Sequence, residues 1–180
     1  MAGFRHLRDD LVHEGWVISL FTSSFESPDG EEFQRDVVRH PGAVSVVPLR
    51  ADGTVVLVRQ YRAAVDAMVI EIPVGKRDVA GEAPELTAER ELAEEVGLAA
   101  ARLELLSTFH NSIGFSDEFS YVFLAQDLTS VPTDRQGVEE AYLEVLEMPL
   151  ADAVAMVHAG EITDAKTVIG LTMALARTGG

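Results

Sequence analysis

The spacing of apolar and polar residues predicts strands in the first third of the chain. Residues 16–21 and 33–38 are rich in apolar side chains and flank a Ser-Pro-Asp-Gly turn at 27–30, a pattern typical of a small hairpin or short sheet. Apolar density then rises through 43–49, and an Asp-Gly turn leads to a second apolar run at 55–58. These two runs predict paired strands at the start of a central sheet.

One helix is marked more clearly than any other element. It begins near Pro84, carries Leu86, Leu92 and Val96 at the spacing of one helix face, and meets Gly97 at the expected stop. Further strands are predicted at 103–109, 118–125 and 141–147, and helices near 149–158 and 164–177. The alternation predicts an α/β, or α+β, fold in which helices sandwich a mixed central sheet. We expect residues 1–40 to form an N-terminal β extension and residues 41–180 the main domain.

Composition narrows the classes of partner. The formal net charge is -16, which would repel the phosphates of a nucleic acid and argues against a polynucleotide groove. A small phosphorylated ligand is compatible with this charge where a metal ion neutralises an acidic pocket. The absence of cysteine excludes disulfides, thiolate zinc sites and cysteine nucleophiles. With no signal-like N-terminus and no membrane-length apolar run, we expect a soluble, cytoplasmic protein.

Three glutamates lie close together near the end of the predicted helix. Glu91 and Glu95 are one turn apart and Glu94 lies beside them, so the three carboxylates project from one face. The ordinary interpretation of such a run is a solvated surface. Here a strand at 70–74 and a glycine-containing loop precede the helix. This strand-loop-helix unit could direct backbone and carboxylate oxygens at one point, where a hard divalent cation would bind.

The segment from Gly75 to Leu98 resembles the signature of the Nudix hydrolases. That signature is a Gly, a short spacer, a Glu, seven residues, and then Arg-Glu-aliphatic-x-Glu-Glu-x-Gly-aliphatic. Every specified position from Glu82 to Leu98 is filled, and fixed polar and glycine positions at set spacing seldom coincide by chance. The spacer between Gly75 and Glu82 is one residue longer than usual, and an insertion there need not rotate the carboxylate face.

The resemblance implies a Nudix fold and metal-dependent hydrolysis of a nucleoside diphosphate derivative. It makes Glu91 and Glu95 the principal metal ligands, with Glu94 assisting and the carbonyl of Val74 as a further candidate ligand. Mg²⁺ is the expected cation, and Mn²⁺ is expected to substitute for it. The ion would polarise the diphosphate and lower the pKa of the attacking water.

Other positions of the signature receive supporting roles from the same resemblance. Arg90, which we place with Glu94 in the catalytic group, is expected to pair with Glu82 and hold the helix against the loop. Gly75, Glu82 and Gly97 are structural positions.

The flanks, at 58–62, 71–75 and 114–118, resemble the ADP-ribose pyrophosphatase branch of the family. This narrower resemblance implies hydrolysis of ADP-ribose to AMP and ribose 5-phosphate, and a homodimer built by an N-terminal sheet at about residues 12–39. Trp16 or Phe21 could stack on the adenine, although aromatic residues in a strand more often belong to a core or interface.

Three departures keep the substrate open. Ile113 stands where that branch commonly has a Pro, Val74 where it has a smaller Ala, and Lys76-Arg77 where it has apolar residues. GDP-mannose, another nucleotide sugar and a dinucleoside polyphosphate therefore stay as alternative substrates. A non-catalytic, nucleotide-sensing Nudix module is the alternative from another class, but it predicts eroded carboxylates, which this chain does not show.

A general base and phosphate contacts complete the expected site. The acidic loop ending in Glu139 and Glu140 is a candidate source of the base, with Glu139 preferred. Arg59 and Arg62 are candidates for binding phosphate, but strand alternation puts them on opposite faces. Glu71 is a further candidate for substrate contact.

Overall fold

A computed structural model of the chain describes residues 3–135 and 138–179. The chain divides into two compact units. The smaller consists of residues 1–42 together with 109–119, and the larger of residues 43–108 together with 120–180.

The smaller unit contains a three-stranded antiparallel sheet. Its strands are β1 (Arg5–Glu14), β2 (Ser19–Glu26) and β3 (Glu32–Arg39), in the order β1-β2-β3. The predicted pair of strands is present as β2 and β3, but the apolar residues 16–18 lie outside any strand and β1 was not predicted. All of β1 except Leu7 is exposed, so this strand carries no apolar alternation and is formed by its backbone pairing with β2.

The larger unit is built on two sheets. The first has the order β7-β4-β9-β8 and is mixed, because β4 runs parallel to β9 and antiparallel to β7. Its strands are β4 (Ala43–Pro48), β7 (Val74–Lys76), β8 (Leu98–His110) and β9 (Phe119–Ser130). The second sheet is antiparallel, with the order β10-β5-β6, and its strands are β5 (Thr54–Arg62), β6 (Ala67–Glu71) and β10 (Glu144–Pro149).

The prediction that β4 and β5 pair as neighbours is wrong. In the part of the chain that the structure describes, they lie in different sheets and are linked by an isolated bridge between Leu49, which follows β4, and Val55. Both edges of β4 are already hydrogen-bonded, to β7 and to β9, and its six residues are all buried. No free edge is left for β5, so the chain turns away at the bridge into the second sheet.

The helices lie close to their predicted positions. They are α1 (Pro84–Val96), α2 (Leu150–His158) and α3 (Ala165–Thr178). Helices α1 and α3 both pack on β4, and α2 packs on α3. The predicted mixed sheet with packed helices is thus confirmed. Within the described residues, no helix is both long and apolar enough to cross a membrane.

Candidate active site

Helix α1 is fixed at both ends by local chemistry. Pro84 occupies the first turn, where its missing N–H is not needed. Gly97 ends the helix at φ 66°, a left-handed conformation that favours glycine, and its N–H donates to the last carbonyls of the helix. A side chain at Gly97 would also lie 2.9 Å from Thr133. Two independent constraints therefore require glycine at this position.

The buried face of α1 carries two of the three glutamates. The buried residues of the helix are Thr87, Ala88, Glu91, Leu92 and Glu95. The face expected from Leu86, Leu92 and Val96 is therefore partly wrong, because Leu86 is 54% exposed. The interpretation of the glutamates as a solvated charge run also fails, since Glu91 is 8% exposed and Glu95 only 2%. A buried carboxylate requires a cation or hydrogen-bond donors.

Glu91 packs directly against the backbone of β7. A Cβ atom added to Gly75 would lie 1.8 Å from the carboxyl carbon of Glu91, so only glycine leaves room for this side chain. One carboxylate oxygen of Glu91 forms an ion pair with the Arg90 guanidinium at 2.7 Å. The position of the Glu91 side chain therefore depends on the absence of a side chain at Gly75.

Glu95 lies beside the same strand. Its carboxylate accepts a hydrogen bond of 3.0 Å from the backbone N–H of Val74. Val74 and Gly75 are consecutive residues of β7, so the two buried carboxylates meet neighbouring positions of one short strand.

In the metal-free protein, burial disfavours ionisation of both carboxyl groups. Burial raises the pKa of Glu91 to about 7, although Arg90 opposes the shift, and the charges of Glu94 and Glu140 add to it. Burial likewise raises the pKa of Glu95 to about 8, against the Val74 N–H, and the charges of Glu91 and Glu140 add to the shift. A cation placed among these groups would offset the free-energy cost of ionising the two buried carboxyl groups.

Arg90 is the cation that faces the cluster from α1 itself. Besides its contact with Glu91, its guanidinium lies 3.1 Å from Glu94, 3.7 Å from Glu82 and 3.8 Å from Asp78. Glu82 in addition accepts a hydrogen bond of 2.6 Å from the hydroxyl of Thr87. The loop before the helix is therefore held to the helix by Glu82.

A second basic residue, Arg77, holds the lengthened spacer in place. Its guanidinium donates to the carbonyl of Glu82 at 3.2 Å and lies 5.2 Å from the centre of the Tyr121 ring. This contact spans the segment that contains the extra residue. These two contacts make Arg77 a structural residue of the loop, which the sequence alone does not indicate.

The two candidate phosphate-binding arginines lie in different surroundings. Arg62 donates from two nitrogens to the buried carboxylate of Glu71, at 2.5 to 3.0 Å, so these two predicted substrate contacts face each other. The charge of Arg62 also reaches Glu95 and opposes the rise in its pKa that burial causes. Arg59 is exposed and lies 3.4 Å from Glu144 on the adjacent strand. The predicted separation of the two arginines is present.

Helix α3 anchors the segment that leads into β7. The Oγ1 atom of Thr167, fully buried, accepts the backbone N–H of Ile72 at 3.0 Å and donates to Asp164 at 2.7 Å. Asp164 also caps the helix through the Thr167 N–H, and Lys166 lies 2.6 Å away. These neighbours lower the pKa of Asp164 against the opposing effect of burial. This anchor was missed, because a Thr inside a helical pattern gives no sequence signal of a distant partner.

The two candidate bases stand in different positions. Glu139 is exposed and precedes a 3-10 turn, Glu140–Tyr142, whereas Glu140 is partly buried. It is Glu140 whose charge raises the pKa of both Glu91 and Glu95. These charge interactions favour Glu140 over the expected Glu139, and the choice between the two stays a prediction.

The aromatic candidates belong to the smaller unit. Trp16 lies in the connection between β1 and β2 and is fully exposed, and Phe21 on β2 is half-buried. Their suggested role in stacking on a base stays a prediction.

The donor set fits a hard divalent cation. Among residues 3–135 and 138–179, no three acidic or histidine side chains already converge in the arrangement of a metal site. Glu91 and Glu94 instead contact Arg90, and Glu95 contacts the Val74 N–H. Carboxylate oxygens are the ligands that such cations prefer. A bound cation would have to exchange these contacts for ligation.

Comparisons with known proteins find matches along most of the chain. Residues 39–168 match the NUDIX domain family. The chain is 39% identical over 162 residues to the ADP-ribose pyrophosphatase of Bacillus subtilis (strain 168), covering 90% of this chain and 87% of that protein. It is 37% identical over 177 residues to the ADP-ribose pyrophosphatase of Mycobacterium tuberculosis (strain ATCC 25618 / H37Rv), covering 98% and 86%.

The fold also has a counterpart among solved structures. The crystal structure of an ADP compounds hydrolase superposes with a TM-score of 0.86, covering 100% of this chain and 96% of that one, at 22% identity. At this identity the likeness shows the fold.

Proposed function

The chain belongs to the Nudix family of hydrolases, and from this premise we propose that it hydrolyses ADP-ribose to AMP and ribose 5-phosphate. The observation that carries the proposal is the pair of buried glutamates on α1, because a hydrolase of this family generally needs a divalent metal ion and these carboxylates fit one. The choice of ADP-ribose is supported by the two pyrophosphatases that are 37% and 39% identical to this chain.

We assign the metal site to Glu91 and Glu95, with Glu94 and the carbonyl of Val74 as further ligands. Mg²⁺ is the proposed ion, with Mn²⁺ as a substitute. When bound, the ion supplies Lewis-acid polarisation of the diphosphate and a lowered pKa for the attacking water. Gly75 keeps the space that Glu91 occupies, and Arg90 balances the negative charge around the site.

Glu140 is the proposed acceptor of the proton from the attacking water. The interaction of its charge with both buried glutamates supports this role. Water attacks a phosphorus atom, the bridging P–O bond breaks, and the bridging oxygen leaves on one of the two phosphate products. Glu139, exposed beside it, is the alternative base.

Substrate contacts are proposed from β5 and, through the proposed homodimer, from the N-terminal sheet of a second copy of the chain. Arg59, which is exposed, is suited to bind a phosphate through its planar guanidinium. Arg62 and Glu71 are hydrogen-bonded to each other. A substrate group that contacts either side chain therefore has to bind beside this hydrogen bond or replace it. Trp16 is the proposed adenine contact.

A homodimer is the proposed assembly. Several apolar side chains of the smaller unit are exposed, among them Leu11, Val12 and Trp16. Burying them against a second copy would remove apolar surface from water. Light scattering coupled to gel filtration should give twice the mass of one chain, and a mass of one chain would contradict the assembly.

The substrate is tested with purified protein and Mg²⁺ against ADP-ribose, GDP-mannose, a dinucleoside polyphosphate and an oxidised nucleotide. We expect kcat/KM for ADP-ribose to exceed the others by at least about 10-fold, since discrimination by one binding pocket is of this order. Chromatography should show AMP and ribose 5-phosphate in equal amounts. A higher kcat/KM for GDP-mannose would refute the proposed substrate and leave the family chemistry standing.

The base is tested by Glu140→Gln beside Glu139→Gln. The first change should lower kcat by about 10²- to 10⁴-fold, the range of general base catalysis, with little change in KM. The second, one residue away, should leave kcat within about twofold. The reverse result would assign the proton to Glu139.

A further inference from the structure

The C-terminal end of α1 is hydrogen-bonded to the loop that follows β9. The last carbonyls of a helix have no partner within the helix. Here the Asp134 N–H donates to the Glu94 carbonyl at 3.3 Å, and Nε of Arg135 donates to the Glu95 carbonyl at 3.1 Å. A cationic side chain is favourable at this end because it faces the negative end of the helix dipole.

The same guanidinium also reaches the far side of the loop. Nη1 of Arg135 donates to the carbonyl of Leu143 at 3.0 Å. Leu143 is 5% exposed and directly follows the 3-10 turn, and its own N–H donates to the Glu140 carbonyl at 3.1 Å. One side chain therefore connects the backbone of Glu95 with the residue that closes the turn containing Glu140.

We propose that Arg135 is a positioning residue, which sets the place of Glu140 against the Glu91–Glu95 face by joining the carbonyls of Glu95 and Leu143. This inference rests on the proposed function, since it takes Glu140 as the proton acceptor. Arg135 itself donates to two backbone carbonyls and needs no contact with substrate. Lysine does not reproduce the bridge, because an ammonium lacks the rigid, planar pair of donors that a guanidinium has.

The test uses Arg135→Lys and Arg135→Ala in the full chain. With ADP-ribose and Mg²⁺, kcat should fall by about 10- to 100-fold in both, the loss expected from a misplaced catalytic group, while KM changes by less than about threefold. Mg²⁺ affinity, measured by calorimetry, should stay within about twofold, because the side chains of Glu91 and Glu95 are untouched.

Hydrogen exchange supplies a readout that does not depend on turnover. Amides of residues 139–143 should exchange at least about fivefold faster in both variants, while those in the middle of α1 keep their rates. Arg177→Ala is the matched control: it removes an arginine that pairs with Glu104 at 2.9 Å at the end of α3. This variant should change neither kcat nor the exchange of residues 139–143.

Each result decides one point. Unchanged kcat in Arg135→Lys, or a lower kcat without faster exchange of residues 139–143, would overturn the positioning role. Should Arg135→Ala fail to fold, Arg135→Lys still decides the question. If wild-type protein does not hydrolyse ADP-ribose while the variants show the faster exchange, the bridge stands and the proposed substrate fails.

Discussion

Helix α1 carries glutamates on two faces, and the two faces differ in almost every physical respect. Glu85 and Glu89 are exposed to solvent, whereas Glu91 and Glu95 lie on the side that packs against β4 and β7. Water hydrates the first pair at no cost to folding. The second pair loses its hydration and must be compensated by Arg90, by the Val74 N–H or by a cation. Burial, more than the density of charge, distinguishes the proposed metal ligands from the solvated glutamates of the same helix.

The largest effect should come from removing one charge on the buried face. Glu95→Gln is nearly isosteric and takes away a proposed metal ligand, so turnover should fall by more than about 100-fold, beyond the loss typical of residues that only support ligands. The fold should survive, because the amide oxygen of Gln can still accept the hydrogen bond from the Val74 N–H. Glu89→Gln, on the exposed face, should leave turnover and melting temperature unchanged. An equal loss of turnover in the two variants would contradict the proposed difference between the buried and exposed faces.

The second-largest effect should come from filling the space that Gly75 of β7 leaves for the Glu91 side chain. Gly75→Ala places a methyl group on the Glu91 carboxylate, and the overlap should displace that side chain. We expect a 10- to 100-fold loss of turnover with about 1–3 kcal/mol of destabilisation from overpacking. Gly114→Ala is the control, since a Cβ there meets nothing within 4 Å. Full activity of Gly75→Ala in a turnover assay would show that Glu91 need not stay where it lies.

The buried face should also respond to pH. The pKa values of about 7 for Glu91 and about 8 for Glu95 exceed the ordinary 4.5, so the folded metal-free protein holds protons that the unfolded chain has released. Their contribution to stability therefore falls as pH rises from about 4.5 to about 8. Because a cation needs the ionised groups, Mg²⁺ affinity should fall by at least about 10-fold from pH 8 to pH 6. An affinity independent of pH in calorimetry would contradict these shifts.

The smallest effect should come from the anchor behind the face. Thr167→Val leaves the buried N–H of Ile72 without an acceptor, which should cost about 1–3 kcal/mol in the free energy of unfolding and lower turnover only modestly. Thr172→Val on the same helix removes a hydroxyl that bonds only carbonyls of its own helix, and should cost under about 1 kcal/mol. Urea unfolding of both variants measures the difference. Equal decreases in the free energy of unfolding of the two variants would contradict the anchoring role of Thr167.

The elements that the sequence predicts well have strong local signals. Helix α1 has Pro at its start and Gly at its stop, and the order of acidic and glycine residues between Glu82 and Gly97 led to the family without any structure. Glu91 and Glu95 could be proposed as metal ligands for that reason, and this role stays a prediction. Their burial could not be predicted, because the apolar spacing pointed to Leu86, which the structure exposes.

What the sequence could not predict depends on partners that are distant along the chain. Strand β1 has polar residues at most positions and exists through its pairing with β2. The separation of β4 and β5 depends on β9, more than 60 residues later, occupying the other edge of β4. The Arg135 bridge joins backbone carbonyls, which carry no sequence identity.

The most direct test of the buried face is a Mg²⁺ titration of the wild-type chain, Glu91→Gln, Glu95→Gln and Glu89→Gln at pH 7, followed by calorimetry in two buffers of different ionisation enthalpy. We expect proton release on binding to wild-type and Glu89→Gln, because Glu91 and Glu95 are partly protonated before the ion binds. We also expect affinity losses of at least about 10-fold in the two buried variants. Binding of equal strength to all four proteins, without proton release, would contradict the proposed metal role of the buried face.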